Sequence, residues 1–389
     1  MMRSYSNLNF MDEDFLLTEE EILTRQTARA FVAREVEPLL RDAHRKEQFP
    51  IELVKRFGAM GFLGANLKGY GCAEVGDVAY GLIMQELERA DSGIRSFCSV
   101  QGSLAMYAIH AFGSEAQKQK WLPAMAAGEK IGCFGLTEAD AGSNPGGMKT
   151  KAEKVSGGYK LNGSKVWITN GSIADVAVIW ARLDGEVRGF LVEKGTAGFK
   201  PTLMEGKFSL RVSVTSELYL KDCVVPHENL LEKSKGLKSP LSCLSQARYG
   251  IAFGVVGAAN HCFNTALEYA QDRVIFDKPL SHYQLAQAKL VEMAQEITKA
   301  QLLVIQLGRL KESGKIRPEQ ISLAKMNNCH IALQVARTAR DMLGANGIID
   351  DYPIMRHLMN LETVNTYEGT EDIHRLVVGQ ALTGTPAFR

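Results

Sequence analysis

Residues 176–192 read VAVIWARLDGEVRGFLV, in which two short runs rich in β-branched and aromatic residues flank Asp184-Gly185. Asp-Gly between two such runs is a strong signal for a two-residue β-hairpin, because glycine readily adopts the positive φ angles that this turn requires. Similar runs, separated by Ser156-Gly157-Gly158 and Asn162-Gly163, extend over residues 130–235. This spacing predicts an antiparallel β barrel or sandwich in the middle of the chain.

The segments on either side of this β region have helical spacing. Thr18 and Glu21 fit a capping box, which predicts the start of a helix of about six turns. After residue 240, helical periodicity fills three long stretches, 241–271, 283–312 and 317–343. The sequence therefore predicts an α+β fold. Its parts would be an N-terminal helical domain (1–129), a middle antiparallel β domain (130–237) and a C-terminal domain resembling a four-helix bundle (238–389).

Composition restricts the class of protein. The 389 residues carry a formal net charge of +1, which argues against a nucleic-acid-binding surface. The seven cysteines are scattered without a Cys-x-x-Cys pair, so neither a disulfide framework nor a metal site is predicted. The acidic N-terminal region does not resemble a signal or transit peptide, and no apolar run reaches membrane-spanning length. We expect a bacterial cytoplasmic protein, although a mature mitochondrial matrix protein would have the same features.

Glu368 stands between Tyr367 and Gly369 in the run Asn365-Thr366-Tyr367-Glu368-Gly369-Thr370-Glu371-Asp372. Glycine lets the backbone come close to a ligand, so a carboxylate directly before it can be aimed at a bound molecule. Such a carboxylate is a candidate general base. Glu368 could instead cap the helix predicted to begin near Thr370, where the helix dipole and free amides favour an acid. Taken alone, these residues leave both interpretations open.

Six separated elements occur in a fixed order along the chain, and together they resemble the acyl-CoA dehydrogenases. The resemblance covers roughly residues 17–388 and implies that family's three-domain fold, its FAD cofactor and α,β-dehydrogenation of an acyl-CoA thioester. No G-x-G-x-x-G or Walker A sequence is present, so only the resemblance implies the flavin. The elements are Leu136-Thr137-Glu138 with Gly142-Ser143, Trp167-Ile168-Thr169, Asp272-Arg273 with Phe276, Gln284, Gly344-Ala345-Asn346-Gly347, and Tyr367-Glu368-Gly369-Thr370.

The resemblance implies two groups of FAD contacts. The first would line the isoalloxazine ring, with hydroxyls for its heteroatoms and a flat apolar face from Trp167. The second would hold the pyrophosphate and adenine across a subunit interface, which implies a homotetramer. Asp277 and Ala345 stand where the family usually has glycine, so weaker FAD retention is one expectation. Taken alone, Trp167 would more often be a core aromatic, and Arg273 would more often be a solvated helix charge. The first group is Phe134, Leu136, Thr137, Ser143, Trp167, Ile168, Thr169 and Thr370; the second is Arg273, Phe276, Gln284, Gly344, Asn346 and Gly347.

Within the family, the resemblance is closest to the member that acts on glutaryl-CoA, through Arg95-Ser96, Ala247-Arg248-Tyr249-Gly250 and the run from 360 to 370. Arg95 indicates a dicarboxylic substrate. An arginine at the far end of the acyl pocket would be an unpaired buried charge unless the substrate brought its own carboxylate. The alternative is that Arg95 pairs on the surface with an acid of the segment 86–91. Ile94 replaces the family's usual tyrosine before this arginine.

The resemblance also implies a reaction. Glu368 would remove the Cα proton, and its backbone amide would help to stabilise the enolate oxygen. Glu88 and Tyr367 match polar residues that accompany decarboxylation to crotonyl-CoA and CO2, and electrons would pass to electron-transfer flavoprotein. The expected substrate contacts are Arg95, Ser96, Ser99, Glu88, Ser143, Arg248, Tyr249, Tyr367 and Gly369, of which Ser143, Arg248 and Tyr249 would contact the CoA arm.

Other functions stay open at this stage. The same fold could serve an oxidase, a dehydrogenase for another short or branched acyl-CoA, or an enzyme that stops before decarboxylation. A flavoprotein that only binds acyl-CoA would have lost its base, whereas Glu368 is present. A purely structural helical protein does not fit the mixed helix and strand pattern.

Overall fold

Residues 10–387 are described by a computed structural model, and they form a helical region, a β-sheet region and a second helical region in chain order. The predicted α+β fold class is confirmed. Residues of all three regions contribute to one continuous hydrophobic core. Residues 1–9 and 388–389, which the predicted domain bounds include, lie outside the described residues. The bounds near 129 and 237 stay predictions.

The first helix begins where the capping box predicts. The Thr18 N–H donates to Glu21 Oε2 at 2.8 Å, and the Glu21 N–H donates to Thr18 Oγ1 at 3.2 Å. This reciprocal pair satisfies two backbone amides at the helix start. The helix continues through a π-helical turn, so it is longer than the six turns predicted. The helical elements of this region are α1 (Glu19–Phe31), the π-helical turn (Val32–Val36), α2 (Glu37–Lys46), α3 (Leu53–Ala59), α4 (Asp77–Ala90), α5 (Ser92–Ser99), a π-helical segment (Val100–Met106), α6 (Tyr107–Phe112) and α7 (Glu115–Ala126).

The middle region contains one seven-stranded sheet. Its strands are β1 (Gly132–Gly135), β2 (Lys151–Val155), β3 (Gly158–Thr169), β4 (Val176–Leu183), β5 (Glu186–Glu193), β6 (Phe199–Leu203) and β7 (Thr215–Pro226). The sheet order is β1-β4-β2-β3-β7-β6, and β5 also pairs with β4. The prediction of a purely antiparallel domain is wrong for β1 and β2, which pair with β4 in parallel. Such pairs join strands that are distant in sequence, and the short strand β1 carries no pattern that reveals its direction.

Two of the three predicted turns connect strands. Asp184 and Gly185, with φ angles of 51° and 85°, join β4 to β5, and Gly157, also at 85°, joins β2 to β3. The Asn162-Gly163 turn prediction is wrong, because this pair lies inside β3 at a bulge where the register with β7 shifts. A Cβ on Gly163 would lie 2.7 Å from the Cα of Thr150. Glycine is required there by close backbone approach.

The C-terminal region is built on three long helices that closely match the predicted stretches. They are α8 (Lys238–Asp272), α9 (Gln284–Glu312) and α10 (Pro318–Met342), followed by α11 (Ile354–Thr366) and α12 (Glu371–Thr383). A short hairpin of β8 (Val274–Ile275) and β9 (Lys278–Pro279) separates α8 from α9. Helix α8 packs against α4 as well as α9 and α10, so the two helical regions contact each other. Within residues 10–387, every helix is too short or too polar to cross a membrane.

Candidate active site

A cavity of about 1470 Å³ lies between the sheet and the helices of both helical regions. Pockets for single small molecules usually enclose roughly 300–1,000 Å³, so this one has room for a cofactor and a substrate together. Its walls include most of the residues that the sequence predicts to be functional. These are Arg95, Ser96, Phe134, Leu136, Thr137, Ser143, Trp167, Ile168, Thr169, Arg248, Tyr367, Glu368, Gly369 and Thr370.

Glu368 lies on the turn between α11 and α12 and lines this cavity. Its φ of 53° is in the left-handed region, and Gly369 follows with a φ of 102°. The left-handed conformation costs a residue with a Cβ about 1–2 kcal/mol, so neighbouring contacts must hold it in place. One such contact is the hydrogen bond from Arg248 Nε to the Glu368 carbonyl at 2.6 Å.

The helix-cap function belongs to Thr370 and not to Glu368. Thr370 Oγ1 accepts a hydrogen bond from the Ile373 N–H at 3.2 Å, at the first turn of α12. Glu368 Oε2 is buried and has no hydrogen-bond partner among the described residues. A buried carboxylate oxygen without a donor is costly unless a bound molecule supplies one. The structure therefore removes the cap alternative and leaves the carboxylate available to a ligand.

The surroundings of Glu368 suit proton transfer. Burial raises the pKa of the Glu368 carboxyl, while the nearby cations Arg95, Arg248 and Lys325 oppose that rise. A carboxylate with a raised pKa is a stronger base, and general bases work best when their pKa lies near the operating pH. The electrostatics of the site are thus those expected of a general base.

Arg95 is paired inside the protein. Its Nε donates to Glu88 Oε2 at 2.6 Å, and the Arg95 and Glu88 side chains are only 1% and 0% exposed. The expectations that Arg95 would lack an internal partner, or would pair on the surface, are both wrong. The pair forms because α4 and α5 pack against each other. Burial raises the pKa of Glu88, and the positive charge of Arg95 opposes that shift.

The guanidinium of Arg95 keeps one nitrogen free. Nη2 donates to the Tyr367 hydroxyl, which also lies 3.0 Å from Ser96 Oγ. No hydrogen bond found among residues 10–387 uses Arg95 Nη1, although Arg95 lines the cavity. An anion bound in the cavity could therefore accept a hydrogen bond from Arg95 Nη1. The positive charge of Arg95 would then be shared between this anion and Glu88.

Gly254 on α8 leaves the space that the Glu88–Arg95 pair occupies. A Cβ at this position would lie 2.1 Å from Glu88 Oε2 and 3.3 Å from Arg95 Nε. The sequence alone missed this function, because a glycine in a helix among other glycines predicts only close helix packing. The absence of a side chain at Gly254 is thus a condition for the buried pair.

Gly254→Ala is expected to push the Glu88 carboxylate away from Arg95, because the new methyl group would overlap it. Disrupting a buried ion pair costs about 3–5 kcal/mol, which denaturant unfolding would detect. Gly250→Ala is the matched control on the same helix, since its Cβ would meet the Tyr80 hydroxyl at 3.0 Å and no ion pair. Equal losses of stability in the two variants would contradict a specific role for Gly254.

One wall of the cavity combines a flat aromatic face with hydroxyl groups. Trp167 is 63% exposed and has a φ of 61° at an irregularity in β3, so its alternative as a core aromatic is wrong. Thr137 and Thr169 line the same cavity. The buried Lys165 donates to the Leu136 carbonyl at 3.0 Å, which holds the backbone of this wall in place. An exposed aromatic face beside hydroxyls fits a planar ring that carries heteroatoms.

Three predicted substrate residues are buried and do not line the cavity: Glu88, Ser99 and Tyr249. Glu88 reaches the site only through Arg95. The Tyr249 hydroxyl donates to the Asp77 carbonyl at 2.8 Å, so its predicted contact with the CoA arm is not available. Neighbouring residues of a helix point about 100° apart, which explains why Arg248 lines the cavity and Tyr249 does not.

The second group of predicted cofactor residues lies on a different surface. Arg273 follows α8, Gln284 begins α9 and Gly344 follows α10, and all three are exposed. Asn346 donates from Nδ2 to the Tyr269 hydroxyl at 3.1 Å, which ties the segment after α10 to α8. Phe276 is 89% exposed. The residues of this surface are Arg273, Phe276, Gln284, Gly344 and Asn346. Gly347 is buried, because its backbone lies so close to Arg340 that a Cβ would be 2.2 Å from the Arg340 carbonyl oxygen, so it is not exposed to a ligand on this surface. None of the six lines the cavity.

The sequence also missed Lys325, a fully buried lysine of α10. Its Nζ donates to carbonyls of the turn that carries Glu368. A lysine in a helical pattern usually predicts a solvated charge. The available signal was its spacing of four from both Ile321 and Cys329, which places Lys325 on the apolar face of the helix.

Known proteins resemble this chain along almost its whole length. Models of the acyl-CoA dehydrogenase N-terminal, middle and C-terminal domains match residues 18–129, 133–223 and 234–383. A glutaryl-CoA dehydrogenase from Mycobacterium smegmatis, in a crystal structure with FADH2, is 50% identical with a TM-score of 0.98, over 99% of this chain and 100% of that chain. The short-chain specific acyl-CoA dehydrogenase of Clostridium acetobutylicum is 35% identical over 94% of this chain and 98% of its own. A chain from a structure of the electron transferring flavoprotein of Acidaminococcus fermentans is 33% identical with a TM-score of 0.91, over 95% of this chain and 99% of that chain.

The fold and the cavity define a flavin-dependent oxidoreductase that acts on an acyl thioester. The chain belongs to the acyl-CoA dehydrogenase family, and its cofactor is FAD. The aromatic and hydroxyl wall fits the flavin ring system, with Trp167, Thr137 and Thr169 as the residues that would contact it. The identity of the acyl group is a separate question, because the similar proteins differ in the substrate that their names give.

Proposed function

We propose that this enzyme dehydrogenates glutaryl-CoA and decarboxylates the product, which yields crotonyl-CoA and CO2. The observation that carries the proposal is that Glu368 and Arg95 line the same cavity. Among residues 10–387, Glu368 offers a carboxylate oxygen without a hydrogen-bond partner, and Arg95 offers a buried guanidinium with one nitrogen that makes no hydrogen bond. A thioester at Glu368 and a distal carboxylate at Arg95 would satisfy both groups.

In the first half of the reaction, Glu368 accepts the Cα proton of the thioester. Bound FAD would supply the acceptor for the hydride that leaves Cβ. The Glu368 N–H has no hydrogen-bond partner among the described residues, so it is free to donate to the thioester oxygen as negative charge develops there. The base and one donor for the enolate oxygen thus belong to one residue. Ser143 and Arg248, which line the same cavity, are the residues proposed to contact the CoA arm.

In the second half, Arg95 holds the distal carboxylate until it leaves as CO2, and the resulting dienolate takes back from Glu368 the proton that was removed from Cα. Tyr367 and Ser96 lie at the Arg95 end of the cavity, where their hydroxyls can orient the group that reacts in this step. Burial raises the pKa of the Tyr367 hydroxyl, so it keeps its proton at neutral pH. Glu88 partly neutralises the positive charge of Arg95. Arg95 would therefore bind the departing carboxylate less tightly.

A dehydrogenase for a plain short-chain acyl-CoA is the second candidate. Glu88 neutralises Arg95 without any substrate, so an uncharged acyl group would not leave an unpaired arginine behind. The similarity to the short-chain specific enzyme of Clostridium acetobutylicum favours the same alternative. A decision between the two requires direct comparison of substrates.

Anaerobic flavin bleaching with a set of thioesters tests this choice. Glutaryl-CoA, butyryl-CoA and isovaleryl-CoA are added to the FAD-loaded protein, and the bleaching rate is followed against concentration. Glutaryl-CoA should give the highest ratio of rate to half-saturating concentration. A higher ratio for butyryl-CoA would replace the proposal by the short-chain alternative.

We also propose electron-transfer flavoprotein as the electron acceptor and a cytoplasmic location.

Arg273→Ala tests a further part of the proposal, that the surface of exposed residues around Phe276 holds FAD across an interface in a homotetramer. Loss of the guanidinium, which suits pyrophosphate through its fork of donors, should lower bound FAD and weaken subunit association together. FAD absorbance and light scattering measure the two losses. Arg34→Ala removes an exposed arginine on α1's π-helical continuation and serves as control. Full FAD content in a stable monomer of Arg273→Ala would contradict both ideas.

A further inference from the structure

Lys325 makes an unusual set of contacts with the turn that carries Glu368. Its Nζ donates to the carbonyls of Asn365, Tyr367 and Gly369, at 3.2, 3.1 and 2.9 Å. An ammonium group has three donors and no acceptor, so these three bonds satisfy it completely. The side chain is 0% exposed, so water does not compete for the contacts.

These three carbonyls belong to the end of α11 and to both neighbours of Glu368. The last carbonyls of a helix have no partner within the helix, and a cation is favoured beside them. Glu368 itself has a φ of 53°, a conformation that a residue with a Cβ keeps only with support from its surroundings, whereas the φ of 102° at Gly369 is readily adopted by glycine. Lys325 gives that support from α10, a different element of the fold.

We propose that Lys325 is a positioning residue for Glu368. Its ammonium fixes the backbone on both sides of the base and places a positive charge behind the carboxylate. This inference rests on the proposed role of Glu368 as the general base. It adds a residue that does not line the cavity and that acts through the turn.

Two further contacts complete the support of the turn. Arg248 binds the Glu368 carbonyl from α8. His374 of α12 packs against Gly369, where a Cβ would lie 2.9 Å from His374 Nε2. Burial lowers the pKa of His374 to about 3, so this ring stays neutral and does not titrate near neutral pH. Lys325 is therefore the only one of these three groups that both holds two neighbours of Glu368 and carries a charge.

The charge of Lys325 has a predictable effect on pH dependence. The cations that act on the Glu368 carboxylate are Arg95 from α5, Arg248 from α8 and Lys325 from α10, and the phenols of Tyr80 from α4 and Tyr367 also face it. A cation stabilises the ionised carboxylate and lowers its pKa. Removal of Lys325 should therefore raise the pKa of Glu368. The base would then be protonated over a wider range, and activity would be lost first at low pH.

Lys325→Met is the direct test in the FAD-loaded protein, because methionine keeps the length of the side chain and removes the charge. The rate of anaerobic bleaching by glutaryl-CoA should fall on the order of 100-fold, the effect of a displaced catalytic group. The acid limb of its pH profile should move up by about one unit. Amide hydrogen exchange in a peptide covering residues 362–374 should be faster. Binding of crotonyl-CoA should change little, because Lys325 does not line the cavity.

Lys207→Met is the matched control. Lys207 is a partly buried lysine that also lines the cavity and donates to the loop carbonyls of Leu210 and Ser213, but it does not contact the 365–369 turn. Its loss should lower stability without moving the acid limb. If Lys325→Met behaves in the same way, with a lower melting temperature and an unmoved acid limb, Lys325 is only structural and the proposal is overturned.

Two additional variants keep the outcome clear. Lys325→Gln serves if Lys325→Met does not fold, since the amide keeps two N–H donors and lacks the charge, and it should still move the acid limb. Glu368→Gln separates the present inference from the proposed function. Near wild-type bleaching in Glu368→Gln would refute the base itself. A dead Glu368→Gln with an unmoved acid limb in Lys325→Met or Lys325→Gln would refute only the role of Lys325.

Discussion

Glu368→Gln should retain FAD and bind acyl-CoA but lose the chemical step. The amide is nearly isosteric with the carboxylate and cannot accept a proton, so the Cα–H bond would not break at a useful rate. Removal of a general base typically lowers the rate by about 100- to 10,000-fold. The measurement is anaerobic flavin bleaching by glutaryl-CoA in stopped flow, with FAD content determined on the same sample.

Glu371→Gln is the control for this experiment. Glu371 is an acid of the same segment that is bound by Asn365 and Arg375 and starts α12, so it does not face the substrate. It should bleach at nearly the wild-type rate. Bleaching of Glu368→Gln at that same rate would place the base elsewhere, whereas a slow rate with unchanged FAD would support the assignment.

Arg95→Met should change the preference for substrates more than the general activity. The charge-assisted bonds to the distal carboxylate are lost, which costs glutaryl-CoA about 2–5 kcal/mol. Butyryl-CoA has no carboxylate to lose, and the cavity becomes easier to desolvate without the guanidinium. The ratio kcat/KM should therefore fall for glutaryl-CoA and stay level or rise for butyryl-CoA. Equal losses for the two substrates would show that Arg95 only supports the fold.

The buried partner of Arg95 requires an additional variant. Arg95→Met alone leaves Glu88 without its cation, which is destabilising in itself. The double variant Arg95→Met with Glu88→Gln removes both charges and should recover stability but not activity with glutaryl-CoA. Arg29→Met with Glu86→Gln removes a more exposed ion pair between α1 and α4 that does not line the cavity, and it should leave the preference for substrates unchanged.

Periodicity predicted the helices well and the sheet less well. The bounds of α8, α9 and α10 follow from long apolar repeats and from proline or glycine at their ends, which are local signals. β1 pairs in parallel with β4, although β2 and β3 lie between them in sequence. This pairing depends on the path of the chain through the whole sheet, and no local sequence pattern predicts it. The Asn162-Gly163 pair failed as a turn because a bulge and a turn require the same kind of residue.

Most of the predicted site residues line the cavity, but their pairings were not predicted. The resemblance to the family identified Glu368 and Arg95 as candidate site residues, and both line one cavity in the structure. The sequence named an acid of the segment 86–91 as a possible partner of Arg95, but placed that pair on the surface and not inside the fold. The roles of three residues depend on how the helices pack, and no local motif predicts them. These residues are Glu88, which pairs with Arg95, Gly254, which leaves space for that pair, and Lys325, which binds the 365–369 turn. The individual roles of these residues are tested by the variants above.

The central claim is that one cavity converts glutaryl-CoA into crotonyl-CoA and CO2. The most direct measurement is product analysis after purified, FAD-loaded protein is incubated with an artificial electron acceptor and glutaryl-CoA labelled with ¹³C in the distal carboxylate. The account predicts crotonyl-CoA and labelled CO2 in equal amounts. Accumulation of glutaconyl-CoA with the label retained, or no turnover of glutaryl-CoA beside rapid turnover of butyryl-CoA, would contradict it.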